Sequence, residues 1–298
     1  MTARSEAATP IGLADLGGLL WRNALLCVAL LVLVVPTVYD LSRTVWQTEE
    51  LGHGPIVLAL VLWLFWLRRD VLAALPDNRA PAWGLLFGVL GALCYAFGRS
   101  QAILLLEIGA FIPFAMAILL SAKGWAGVRA CSFALFFLLF LVPLPGFVID
   151  AITASLKQEV SALAEVALYA AGYPVARSGV LLNVGPYQLL VADACSGLNS
   201  LFSLSAVGLL YVYLTGHRSV LRNLLLIAAI LPLAFFANVL RVIVLVLVTY
   251  HFGDEAGQGF VHGAAGLFLF AAALGSLFLF DRVLGLFLGK RSSAKVTA

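Results

Sequence analysis

Charged side chains are scarce in this chain: Asp, Glu, Lys and Arg make up 11% of its 298 residues, against roughly 25% in an ordinary soluble domain. A globule of this size cannot clothe itself in so little polar surface, so a freely soluble fold is excluded. Net charge is small as well, a formal +3, and no basic stripe marks a nucleic-acid partner. Cysteine is limited to Cys27, Cys94, Cys131 and Cys195, with neither a CxxC pair nor a Cys/His zinc spacing. The HExxH helix of zinc peptidases and the GxSxG elbow of serine hydrolases are both missing. Glu49, Glu50, His53, His251, Asp254 and Glu255 sit in loops without metal-ligand spacing, so no metal and no cofactor is expected. Internal repeats and low-complexity tracts are lacking too. One domain over 1–298 is the expectation, with loose tails at 1–18 and 290–298.

What the chain has instead is apolar length. Hydrophobic residues reach 63% and the mean hydropathy is +1.06. A helix needs about 20 mostly apolar residues to cross a bilayer. Such stretches fall near 19–39, 54–67, 83–98, 102–120, 130–149, 197–215, 223–250 and 262–285. The fold class is therefore an all-α polytopic membrane protein of about eight transmembrane helices. The first stretch is too long for a removable signal peptide and reads as an anchor. Cationic loops stay in the cytoplasm because translocating them is costly. With eight spans, Arg4, Arg22, Arg68, Arg69, Arg79, Lys123, Arg129, Arg218, Arg222, Arg282, Lys290, Arg291 and Lys295 fall on one side. Only Arg43, Arg99, Lys157 and Arg177 fall on the other, which puts both termini in the cytoplasm.

Asp150 to Ala194 then lies outside. Its first half, Ile152 to Ala171, carries apolar residues at three- and four-residue spacing opposite Lys157, Gln158, Glu159, Ser161 and Glu165. That pattern predicts an amphipathic helix in the interface. Its second half has β-prone runs at Gly179–Leu182 and Tyr187–Val191 around the turn composition Asn183-Val184-Gly185-Pro186. A small β-hairpin before the sixth span is expected.

Three positions could carry chemistry. Cys195 opens the sixth span, where the positive end of a helix dipole would favour its thiolate; the bland alternative is a small buried residue. Arg241 lies deep in an apolar span, at a cost of at least about 2.5–3.5 kcal/mol. Snorkelling toward Tyr250 would relieve that cost, and so would a polar cavity shared with Asn238, one turn earlier. His262 opens the eighth span among small residues, with the near-neutral pKa of a general base. In the in–out order, all three come to the same outer side. Cys with His gives acyl transfer through a thioester, and Arg can stabilise the oxyanion or hold a carboxylate. Asp193 could orient His262, pair with Arg241, or simply cap the sixth span. Ser196 lacks the context of a nucleophile, and Gly197 leaves room for a substrate backbone. Glu107 is a second intramembrane charge, a partner for Arg99 or Arg241.

At these residues the chain resembles the exosortase (exosortase/archaeosortase) family of bacterial inner-membrane transpeptidases, in its B-type branch. The resemblance rests on three short blocks in order: Ala194-Cys195-Ser196-Gly197, Asn238-Val239-Leu240-Arg241 and His262-Gly263-Ala264-Ala265-Gly266. It implies a cysteine transpeptidase or protease acting on proteins with a C-terminal PEP-CTERM sorting signal, which combines a Pro-Glu-Pro-type motif, a membrane helix and a basic tail. It also implies Cys195 as nucleophile, His262 as base then acid, Arg241 as stabiliser of the intermediate, and a link to exopolysaccharide production. The location implied is the inner membrane, with the active site facing the periplasm and lipid and sorting-signal proteins as partners. A transporter or flippase with Arg241 lining a pathway is the competing expectation. An assembly protein without an active site would leave the burial of Arg241 unexplained.

Overall fold

The computed structural model describes residues 24–48, 52–190, 198–253 and 260–293. A few side chains near those limits, including those at 198–201 and 260–266, fall outside the described set. The chain divides into two compact units, Met1–Pro145 and Gly146–Ala298.

The first unit contains α1 (Ala24–Arg43), α2 (Gly54–Leu67), α3 (Arg69–Ala74), α4 (Pro81–Ser100), α5 (Leu104–Gly109), α6 (Phe111–Ala130) and α7 (Ser132–Phe137). Helix α4 shows what solvent the fold expects. Its buried residues are Gly84, Gly91 and Gly98, seven apart on one face, while Leu85 and Leu93 are 70% and 64% exposed. A water-soluble helix would bury the leucines. Here the glycines let α4 lie directly on its neighbours, as small residues do between helices in lipid. A Cβ at Gly98 would collide with the Glu107 backbone, and one at Gly91 would come within 2.9 Å of the Phe114 ring. A buried polar knot braces the unit. Glu107, 5% exposed, accepts from Arg99 Nη1 at 2.8 Å and from Thr37 Oγ1 at 2.8 Å. Arg99 also donates to Asp40 at 2.6 Å. Of the two partners open to Glu107, the fold uses Arg99.

The second unit contains α8 (Gly146–Ala170), β1 (Val175–Ser178), β2 (Leu181–Val184), β3 (Tyr187–Leu190), α9 (Leu198–Thr215), α10 (Val220–Phe252) and α11 (Phe260–Ser293). The strands form one antiparallel sheet in the order β1-β2-β3. Both connections are two-residue turns with glycine first, Gly179 at φ +65° and Gly185 at φ +55°. Positive φ at the first central position alone is the II′ arrangement, whose twist matches the flanking strands. Val175, Leu182 and Val184 on the inner face pack against Val160, Ala164 and Leu168 of α8 and Val239, Val242, Leu245 and Val246 of α10. At the other end of α10, Asp281 of α11, 4% exposed, accepts from Arg222 Nε at 2.7 Å and Tyr211 Oη at 2.6 Å.

Several expectations change. Among the described residues four helices are long and apolar enough to cross a membrane: Pro81–Ser100, Leu104–Ala130, Val220–Phe252 and Leu267–Phe287. This supports a helical membrane protein but not the count of eight. The stretch at 54–67 makes a helix of only 14 residues. The stretch at 130–149 breaks into α7, the 3₁₀ turn Leu138–Leu141 and then α8, because Pro143 and Pro145 interrupt helical hydrogen bonding. The amphipathic helix consequently begins at Gly146, not Ile152. The expected hairpin is a three-stranded sheet. Val175–Ser178 escaped notice because its burial runs one residue in and three out, and Gly179 proves to be a turn rather than a strand residue.

Candidate active site

Helix α10 has two working faces. Val239, Val242, Leu245 and Val246 face α8 and the sheet. Ala234, Ala237, Asn238 and Arg241 recur at the spacing three, four and seven that lines one side of a helix, and they face α9 and α11. Leu204 of α9 and Leu269, Phe270 and Ala273 of α11 complete the lining of a cavity there. Measured at water centres it is about 20 Å³, room for about one water molecule. Alanine at three lining positions is what leaves the space open.

Asn238 and Arg241 supply the polar groups of this lining, 6% and 8% exposed. Tyr250, farther along α10, makes contacts with the neighbouring aromatic side chains. Tyr173 stacks edge-on against Tyr250 at 5.5 Å and its hydroxyl meets His251 Nε2 at 3.2 Å. Gly185, at the second turn of the sheet, also lies against the Tyr250 ring. Beyond Arg241 one face of the helix is covered by α8 and the sheet. A planar, permanently charged fork held in a small, low-dielectric cavity can stabilise a developing oxyanion or grip a carboxylate.

Asp193, Cys195, Ser196 and Gly197 lie outside the described residues, as does the side chain of His262. The structure therefore brings together Asn238 and Arg241 and leaves the other expected members of the site untested. The alanines and the facing residues Leu204, Leu269, Phe270 and Ala273 were missed. The helical spacing of Ala234, Ala237, Asn238 and Arg241 was a usable signal for the α10 half, but nothing in the sequence announces the α9 and α11 half. Among the described residues no group of three His, Cys, Asp or Glu side chains converges as metal ligands would.

Comparison with known proteins bears on the same region. Residues 45–279 match the model of a protein family described as transmembrane exosortase. No curated protein and no solved structure matches the chain.

Proposed function

The chain belongs to the transmembrane exosortase family, and from that premise we propose that it is a membrane-embedded cysteine transpeptidase or protease. Its substrates are proteins bearing C-terminal PEP-CTERM sorting signals, and its chemistry runs through a thioester on Cys195. The observation that carries this reading is the buried Arg241, set with Asn238 in a cavity walled by α9, α10 and α11. The second and third blocks fall on α10 and α11, and the first ends, in sequence, one residue before α9 begins. Cys195 stands three residues before α9, and position 262 precedes Leu269 and Ala273 by seven and eleven residues, a spacing that keeps one helix face.

The steps follow from the residue types. The Cys195 thiolate attacks the scissile carbonyl carbon, and the oxyanion that forms is stabilised by Arg241. His262, as imidazolium, gives its proton to the departing amine, which leaves the thioester behind. An acceptor amine, or water, then gives a proton to His262 and attacks the thioester, and the thiolate departs. Asn238 helps hold Arg241 in the cavity, Gly197 leaves room for the substrate backbone, and Asp193 and Ser196 support the nucleophile's segment. Read with eight spans in one domain, the distribution of Lys and Arg favours both termini in the cytoplasm and a site facing the periplasm of a bacterial inner membrane.

The test is processing of a co-expressed reporter that ends in a Pro-Glu-Pro motif, an apolar helix and a basic tail. Cys195→Ala and Cys195→Ser should abolish cleavage while membrane insertion stays normal. Undiminished cleavage by the alanine variant would remove Cys195 from the mechanism.

A further inference from the structure

The two edges of the sheet are treated differently. In antiparallel ladders, residues alternate between pairs that exchange hydrogen bonds and pairs whose N–H and C=O groups point away from the partner. Two-residue turns fix the phase here: Ser178↔Leu181 and Val184↔Tyr187 close the two hairpins and are the bonded pairs. The outward-pointing groups of β1 are then those of Val175 and Arg177, and those of β3 belong to Gln188 and Leu190.

On β1 the chain occupies its own edge. Arg177 N–H donates to Glu165 Oε1 at 3.0 Å, and Val175 N–H donates to the Tyr173 carbonyl at 2.9 Å. Arg177 Nε doubles the link to Glu165 Oε2 at 3.1 Å. On β3, among the described residues, the outward groups of Gln188 and Leu190 have no such partner. Both residues are exposed, Leu190 by 40%. An edge strand left open is a template for another strand, and folded proteins normally blunt or cover it. This one blunts β1 and leaves β3.

From this asymmetry we propose that the β3 edge, Tyr187–Leu190, binds the substrate as an added β-strand. Main-chain hydrogen bonds to Gln188 and Leu190 would hold an extended peptide segment. The inference rests on the cysteine reading above and deepens it: in sequence, Cys195 follows Leu190 by only five residues. A peptide paired with β3 is thereby held by the strand that precedes the nucleophile in the chain. The recognised feature is an extended backbone, so specificity for side chains comes only from alternate residues that face the sheet's neighbours.

Proline separates the backbone from the side chain. At Gln188 or Leu190 it removes an outward N–H without touching the β2–β3 ladder, a position where edge strands tolerate it. With the sorting-signal reporter, Gln188→Pro and Leu190→Pro should each raise KM by about tenfold, the order expected for a lost hydrogen bond. Alkylation of Cys195 by iodoacetamide should stay at the wild-type rate. Gln188→Ala and Leu190→Ala, which keep the N–H, should raise KM clearly less than their proline counterparts. Wild-type KM in the proline variants would overturn the proposal, and so would an equal loss in the alanine variants.

Folding defects are bypassed by a second measurement. In a Cys195→Ala background, single cysteines placed along the reporter's motif segment should form disulfides with Gln188→Cys at every second position. Linking without that period, or none at all, would also overturn it. A reporter still cleaved by Cys195→Ala would instead sink the cysteine mechanism itself, so the two failures are distinguishable.

Discussion

Arg241 is the residue on which the proposed chemistry turns, because it places a permanent charge in the interior of an apolar helix, lining a small cavity. A charge at that depth costs several kcal/mol in lipid, yet it is 8% exposed beside Asn238 and three alanines. A lysine would keep the charge and lose the planar fork. Arg241→Lys should therefore lower kcat for reporter cleavage by about a hundredfold or more, the scale of a lost oxyanion donor. Steady-state kinetics on membranes with matched protein levels checks this; cleavage at the wild-type rate would demote Arg241 to a general counter-charge. His53 gives a separate readout at the same scale. It stands at the start of α2, and burial pushes its imidazole below the usual range. The neutral form is then favoured by folding, so its contribution is complete above the unfolded pKa of about 6.5 and is lost as pH falls below it. Thermal unfolding in detergent should weaken from pH 7.5 to pH 5, and His53→Gln should flatten that dependence. Arg241, Asn238 and the Glu107 charge were legible because charged and polar side chains in apolar runs stand out. Asp281 sits in such a run as well and went unread, although it gathers Tyr211, His217 and Arg222 around one carboxylate.

Elements were legible where composition and period agree. The α10 and α11 stretches, the position of α9 and the polar face of α8 all follow from apolar runs and three-to-four spacing. Boundaries failed where prolines act. Pro143 and Pro145 turned an expected span into a short helix and a 3₁₀ turn, and gave their C-terminal residues to α8. The first strand was hidden because Ala176, Arg177 and Ser178 carry no β signal of their own; Glu165 of α8 fixes Arg177 from outside the strand. That is tertiary information. Packing within α4 makes a prediction at this scale. Gly98 lies against the Glu107 backbone, so a side chain there must push α4 from α5. Gly98→Leu should cost about 1–3 kcal/mol, the usual penalty of overpacking. It should lower the unfolding temperature of the purified protein, whereas Leu93→Ala on the exposed face should leave it nearly unchanged.

At the scale of the whole molecule, the fold reads as two apolar helical units, with the small sheet and the buried arginine both in the second. Helix α10 joins these features. At 33 residues it is about 50 Å long, well beyond the roughly 30 Å of a hydrocarbon core. The excess length is met at one end by α8 and the sheet and at the other by the Asp281 cluster. Membrane character was legible from composition alone, since scarcity of charge needs no knowledge of contacts. Which helices wall the cavity was not, because the small residues facing Arg241 look the same in sequence as those facing lipid. The central claim is that Cys195, Arg241 and His262 share that cavity. Disulfide trapping tests it most directly, in a chain whose Cys27, Cys94 and Cys131 are replaced by alanine. The account predicts that Cys195 forms a disulfide rapidly with Arg241→Cys, and likewise with His262→Cys, under mild oxidation in native membranes. Failure of both pairs to link, with Cys195 still reactive toward a small alkylating reagent, would contradict it.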